Sequence, residues 1–256
     1  MPSPPDQRPL DADNLTDDAF LGGRLQVLQP RKGFRAGLDA VVLAAAVPAR
    51  PRQLACDLGC GVGTAGLCLA ARVEGVHVTA VDIDDLMLGL ASRNAARNGK
   101  AETFAVLAAD LAGRARNLPR QHFHHVLTNP PFHDEASGTS APERRKANAK
   151  AIGADGLRHW LRLARAITRP GGTVSAILPP AQLPVALEAL SPRGRGVTVT
   201  PLWPRVGVPA KRLVLTARTN AAAPLVMAPG LLLHGPGGKP TPEAEQILRQ
   251  AGPLST

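Results

Sequence analysis

The chain has 256 residues, a formal net charge of +10 at pH 7 and a sequence pI near 10.7. Hydrophobic residues make up 44% of it, enough for one large domain with a sizeable core. No apolar run approaches the length of a membrane span, and no export signal is visible at the start. We therefore expect a cytoplasmic protein that does not enter a membrane, and the charge favours a polyanionic partner.

The predicted elements begin after a polar N-terminal stretch. Residues 1–15 hold little to bury and are predicted to be a mobile tail, whereas 16–256 are predicted to form a single domain. The segment FRAGLDAVVLAAAV is predicted to be an N-terminal helix laid against a sheet. A second polar tract, about 133–150, is predicted to be a flexible basic loop.

From Gln53 onward, short apolar runs alternate with helical patterns, which indicates βαβ units. Seven strands are predicted: LACDLG, VHVTAVDID, TFAVLAAD, HHVLTNPPF, TVSAILPP, GVTVTPLW and RLVLTART. A C-terminal helix is predicted over TPEAEQILRQAG, with Thr241 as its N-cap. The fold class is therefore α/β, with a mostly parallel, twisted, seven-stranded sheet covered by helices on both faces.

A glycine-rich loop, DLGCGVGTAG, follows the first of these strands. Gly59, Gly61 and Gly63 would let the backbone pass close to a bound nucleoside at a helix N-terminus. Asp82 ends the next strand, at the place where a dinucleotide fold carries its ribose-binding acid. This signature fits NAD as well as S-adenosylmethionine. Two further acids, Asp57 at the start of the loop and Asp110 after the third strand, favour S-adenosylmethionine. Asp57 would meet its ammonium, Asp82 its ribose and Asp110 its adenine amino group.

The stretch TNPPF places two prolines directly after an asparagine at the end of the fourth predicted strand. Proline cannot donate to a sheet ladder and keeps the preceding residue extended, so the strand must stop at Thr128 or Asn129. Strand ends in an open α/β sheet form the ligand crevice. We therefore predict that Asn129, Pro130, Pro131 and Phe132 form a catalytic corner, with Asn129 also next to the cofactor.

The combination of the glycine loop, the acid after the second strand and NPPF resembles the class I S-adenosylmethionine-dependent methyltransferases, which have a Rossmann-like fold. More closely, DDAFLGGRLQVLQPRKGFRAGLDAVVLAAAVPA, NPPF, PGG and PLWPRVGVPAKRLVLTART are similar to the bacterial family that methylates adenine N6 in a valine tRNA. The resemblance implies that the Asn129 side chain and the Pro130 carbonyl hold an exocyclic amine, while Phe132 stacks on the base. It implies neither a metal nor an obligate protein partner.

Basic residues are clustered along the chain, which favours RNA, and tRNA above all, as the partner. Arg158, Arg162, Arg165 and Arg169 fall on one helical stripe opposite an apolar face, although a merely solvated helix face has the same pattern. The candidate RNA contacts are Arg31, Lys32, Arg35, Arg144, Arg145, Lys146, Arg158, Arg162 and Arg165.

Three alternatives stay open at the level of sequence. Methylation of guanine N2 in rRNA is the nearest alternative, because the His133 that follows the corner is closer to the motif of that enzyme class. Methylation of a glutamine in a translation factor shares the Asn-Pro-Pro corner but needs fewer basic clusters. An NAD-dependent or non-catalytic nucleotide-binding module would explain the glycines and leave the corner unexplained.

Overall fold

The structure, a computed structural model, describes residues 14–33, 35–111, 115, 117–131 and 153–255. Several predicted features lie outside these ranges. They are most of the N-terminal tail, the basic loop at 133–150, and the candidate site residues Phe132, Arg144, Arg145 and Lys146.

One large sheet organises the molecule. Its strands are β3 (Leu54–Leu58), β4 (His77–Asp82), β5 (Phe104–Ala108), β6 (Phe123–Thr128), β7 (Thr168–Leu178), β8 (Val197–Trp203), β9 (Arg212–Arg218), β10 (Val226–Met227) and β11 (Leu231–Leu232). The order across the sheet is β10-β8-β9-β7-β6-β3-β4-β5, and β11 also pairs with β8. The five neighbouring strands β5, β4, β3, β6 and β7 are parallel to one another. Strand β9 is antiparallel to both of its neighbours.

The predicted α/β fold and its seven strands are confirmed, and within the described residues the sheet has nine strands. The two additional strands have two residues each and lie along the outer edge of β8. Strands this short carry no alternating pattern of apolar residues, so they cannot be predicted from periodicity.

Helices cover both faces of the sheet, as predicted. They are α1 (Leu38–Ala46), α2 (Thr64–Arg72), α3 (Asp85–Arg97), α4 (Ala154–Ile167), α5 (Leu183–Leu190) and α6 (Pro242–Gln250). Residues of α1, α2, α3 and α6 belong to one buried apolar cluster, and those of α4 and α5 belong to a second. The Thr241 hydroxyl caps α6 by accepting from the Ala244 N–H at 3.1 Å. Among the described helices, none combines the length and apolar character that crossing a membrane requires.

A two-stranded hairpin that the sequence did not predict precedes α1. It consists of β1 (Leu15–Phe20) and β2 (Leu25–Pro30), so β1 begins one residue before the predicted domain boundary at 16. Asn94 of α3 holds the hairpin: its Oδ1 accepts from the Leu28 N–H at 2.8 Å, and its amide donates to the carbonyls of Leu28 and Val62, both at 3.1 Å. Because Val62 belongs to the glycine loop, this buried side chain connects the hairpin to the candidate site.

Candidate active site

The sheet register brings the predicted site residues to one edge. Leu58, at the end of β3, pairs with Val81 of β4 on one side and with Thr128 of β6 on the other. One residue further along each strand, Gly59 therefore lies between Asp82 and Asn129. The sheet order reverses between β3 and β6, and open α/β sheets bind ligands at such a switch point.

The glycine loop has backbone angles that side chains rarely adopt. Gly59, Gly61 and Gly63 have φ values of +76°, +53° and +82°. A Cβ on Gly63 would lie 3.1 Å from Ala91 and from Phe104, so this glycine allows close packing of the loop. A Cβ on Gly61 would meet nothing within 4 Å, so the loop is open at that position. Of the three, Gly61 has the space for a ligand that the prediction requires.

Asp82 ties this loop to the end of β4. One carboxylate oxygen accepts from the Gly61 N–H at 2.8 Å, and the other accepts from Ile83 at 2.8 Å and Asp84 at 3.1 Å. Burial raises the pKa of Asp82, and these three backbone donors act in the opposite direction. The side chain is only half-buried, so it also remains accessible from the crevice. Its contact with a ribose stays a prediction.

Asp57 lies deeper, with 2% of its surface exposed. Its Oδ2 accepts from the Gly66 N–H of α2 at 2.8 Å. Burial raises the pKa of Asp57 to about 7; the Gly66 hydrogen bond lowers it, and the nearby Asp82 charge raises it further. In the structure this carboxylate fixes the start of α2 under the loop. Its contact with a ligand ammonium stays a prediction.

The third predicted acid, Asp110, is exposed and follows β5 by two residues. It is close in the chain to Ala109, whose N–H donates to the Asp82 carbonyl at 2.9 Å. Ile83, which was not predicted from the sequence, directly follows Asp82 and leaves 53% of its surface exposed. An exposed β-branched side chain next to Asp82 offers an apolar surface against which a flat ring could pack. Its signal in the sequence was an apolar residue beyond the end of a strand.

The Asn-Pro-Pro corner ends β6, as predicted, since β6 stops at Thr128. The Asn129 Oδ1 atom is buried and receives no hydrogen bond from any residue that the structure describes. A buried acceptor without a donor costs about 1 to 3 kcal/mol, so native proteins rarely keep one without a reason. An amine donor on a ligand would remove this cost.

A hydrogen-bonded chain that the sequence analysis missed links the corner to the glycine loop. The Trp160 Nε1–H of α4 donates to the Thr128 hydroxyl at 2.9 Å, and that hydroxyl donates to the Leu58 carbonyl at 2.7 Å. The Trp160 ring also lies against Gly59, where a Cβ would come within 2.6 Å of it. Trp160 therefore fixes the position of the glycine loop relative to the Asn-Pro-Pro corner.

Within the described residues, the predicted RNA contacts lie on different elements of the fold. Arg35 pairs with Asp18 of the hairpin at 2.6 Å, while Arg31 and Lys32 are exposed after β2. On α4, Arg158 pairs with Asp155 and with Glu188 of α5, and Arg162 also pairs with Glu188, at 3.2 Å. Arg165 is exposed. Arg169 lies in β7, because α4 ends at Ile167, so the predicted stripe of four contains three helical arginines.

Among the described side chains, no group of three His, Cys, Asp or Glu residues is placed to hold a metal ion.

Comparison with known proteins agrees with this geometry. The family described as the methyltransferase small domain matches residues 36–152. A crystal structure from Agrobacterium tumefaciens, titled a predicted O-methyltransferase, is 30% identical with a TM-score of 0.70, over 85% of this chain and 99% of that one. The chain belongs to the class I methyltransferases. Enzymes of this family take their methyl group from S-adenosylmethionine.

Two curated relatives of this methyltransferase are both called tRNA1(Val) (adenine(37)-N6)-methyltransferase. The one from Musicola paradisiaca is 29% identical over 65% of this chain and 66% of its own length. The one from Dickeya chrysanthemi is 30% identical over 64% of each chain. The chain thus spans just under two thirds of the length of these relatives.

Proposed function

We propose that this methyltransferase transfers a methyl group from S-adenosylmethionine to the exocyclic N6 amine of an adenine in tRNA. The observation that carries the proposal is the buried Oδ1 of Asn129, which has no hydrogen-bond donor among the described residues. It lies one residue beyond the pairing of β6 with the strand that leads into the glycine loop. The names of the curated relatives support adenine N6 and tRNA as the target.

The residues at the carboxyl edge fit S-adenosylmethionine. The loop is open at Gly61, so the backbone can approach a nucleoside there. The half-buried carboxylate of Asp82 has acceptor capacity left for ribose hydroxyls, because a carboxylate offers about four lone-pair sites. Ile83 provides an apolar face for an adenine ring, and Asp110 an acceptor beside it. When bound, the cofactor supplies an electrophilic methyl group on a sulfonium.

The corner supplies what the acceptor amine lacks. The lone pair of an exocyclic amine is delocalised into the ring, which makes the nitrogen a poor nucleophile. If the Asn129 Oδ1 and the Pro130 carbonyl both accept from the NH₂ group, they favour a pyramidal nitrogen with a directed lone pair. The corner needs no strong base, because the proton can leave once methylation has made the nitrogen acidic. Holding the nitrogen in line contributes several kcal/mol through effective molarity.

RNA as the carrier of this amine is supported by the net charge of +10 and by exposed basic residues such as Arg31 and Lys32 near the start of α1. Phosphate contacts supply most of the sequence-independent affinity for nucleic acid. The same proposal includes four candidates outside the described residues: Phe132, Arg144, Arg145 and Lys146. Phe132 would stack on the extruded base.

Nucleoside mass spectrometry tests this function. Unmodified valine tRNA is incubated with the protein and S-adenosylmethionine carrying a labelled methyl group, then digested to nucleosides. We expect labelled N6-methyladenosine. A transcript with a purine lacking the 6-amino group at position 37, the position in the relatives' names, is the matched control and should take up no label. Parallel incubations contain rRNA or a translation factor in place of the tRNA. Label in N2-methylguanosine of the rRNA, or on a glutamine of the factor, with none in the tRNA, would replace the proposed substrate.

A further inference from the structure

A basic cleft lies at the end of the sheet opposite the candidate active site. Residues Arg120 and Gln121 precede β6, Thr168 opens β7, and Thr219 and Asn220 follow the antiparallel strand β9. All these positions are at the amino ends of the parallel strands. Together with the last turns of α4 they enclose a cleft of about 350 Å³.

Three arginines line this cleft, Arg120, Arg162 and Arg165, and among the described residues no Asp or Glu lines it. Arg162 has a partner in Glu188, at 3.2 Å. Neither Arg120 nor Arg165 forms an ion pair with any residue in the described ranges. Like charges gathered in one concave site repel each other unless an anion is bound between them.

The backbone of the cleft is held in uncommon conformations. Gln121 and Asn220 have φ values of +50° and +58°, in the left-handed region that residues with a Cβ rarely adopt. The Gln121 N–H donates to the Ala166 carbonyl at 3.0 Å, which fixes the segment before β6 against the end of α4. Thr219 is fixed by its hydroxyl, which donates to the Arg169 carbonyl at 2.6 Å. Such conformations concentrate at binding sites, where the surrounding structure enforces them.

We propose that this cleft binds backbone phosphates of the substrate RNA, as a second anchor remote from methyl transfer; the proposal rests on the function proposed above. Guanidinium groups match phosphate oxygens in pairs, which suits arginine more than lysine. With six residues in β6, the cleft lies roughly 20 Å from Asn129, a span that a structured RNA bridges with several phosphates. The exposed side of α4 connects the two ends, since α4 runs from the active edge back to the start of β7.

Salt-dependent RNA binding tests the proposal. The variant Arg120→Gln/Arg165→Gln removes the two unpaired charges of the cleft. Its matched control, Arg93→Gln/Lys239→Gln, removes two exposed charges elsewhere. Dissociation constants for valine tRNA are measured by fluorescence anisotropy between 50 and 300 mM salt, roughly the range in which phosphate contacts are resolved. Single-turnover methylation at saturating RNA is measured on the same samples.

We expect the cleft variant to bind tRNA about 5- to 8-fold more weakly per arginine at 0.1 M salt, with a log-log salt slope smaller by about 1.4 to 1.8. The control should keep both the wild-type slope and the wild-type rate of methyl transfer. Equal slopes for the cleft variant and wild type, with methylation intact, would overturn the cleft alone. Wild-type protein that neither binds nor methylates tRNA would overturn the proposed function together with it.

Discussion

Replacing Gly59 with alanine tests the contact between the glycine loop and Trp160. At a φ of +76°, a residue with a Cβ costs about 1 to 2 kcal/mol. The new Cβ would also lie 2.6 Å from Cζ2 and 2.9 Å from Cη2 of the Trp160 ring. Displacing a packed ring costs about 1 to 3 kcal/mol more, so we expect a loss of about 2 to 5 kcal/mol in the free energy of unfolding.

Gly61→Ala is the matched control for this substitution. It has a positive φ of +53° but no atom within 4 Å of its Cβ, so it should cost only about 1 to 2 kcal/mol. Urea unfolding followed by circular dichroism, without cofactor, measures both. In a Trp160→Leu background the clash is absent, so Gly59→Ala should then cost no more than Gly61→Ala. Equal losses for the two glycines in the wild-type background would refute the packing argument.

Three further predictions concern the cofactor edge. Asp82→Asn keeps the acceptor for the Gly61 N–H but loses its charge, so we expect about 10- to 100-fold weaker S-adenosylmethionine binding by calorimetry; unchanged affinity would contradict the ribose contact. Gly61→Ala should also weaken cofactor binding, whereas Gly99→Ala, at a similar φ of +65° and away from the site, should not. Burial raises the pKa of Asp57 from 3.8 to about 7, so the folded chain keeps a proton that the unfolded chain releases. Stability should therefore fall as pH rises through this window, and urea midpoints of Asp57→Asn should lack that part of the decline.

The parts of the site that were predictable from sequence are those fixed by local chemistry. Proline at positions 130 and 131 stops β6 at Thr128 whatever surrounds it. Glycines between a strand and a helix mark the loop, and Asp82 at the end of β4 follows from the apolar run before it. The parallel sheet then brings these separate strand ends to one edge, so the site followed from the strand order.

The remaining features depend on contacts between distant segments, which periodicity does not reveal. The hairpin of β1 and β2 is held by Asn94, some 66 residues away from Leu28 in the chain. The α4 stripe was predicted from spacing, but the partner of Arg158 and Arg162, Glu188, is supplied by a helix that the sequence analysis did not predict. Similarly, helical spacing places Trp160 only on the apolar face of α4, because its N–H partner Thr128 lies on another element.

The most direct test of the account is the rate of methyl transfer by Asn129→Ala. Both prolines remain, so the corner keeps its shape, but the unpaired Oδ1 that would hold the amine is gone. The interaction is strongest as the nitrogen rehybridises, so the rate should fall on the order of a hundredfold or more, while cofactor and tRNA affinities stay close to wild type. Single-turnover kinetics with saturating S-adenosylmethionine and tRNA measure this rate. A transfer rate near that of the wild type would mean that the corner only shapes the fold, and would contradict the mechanism.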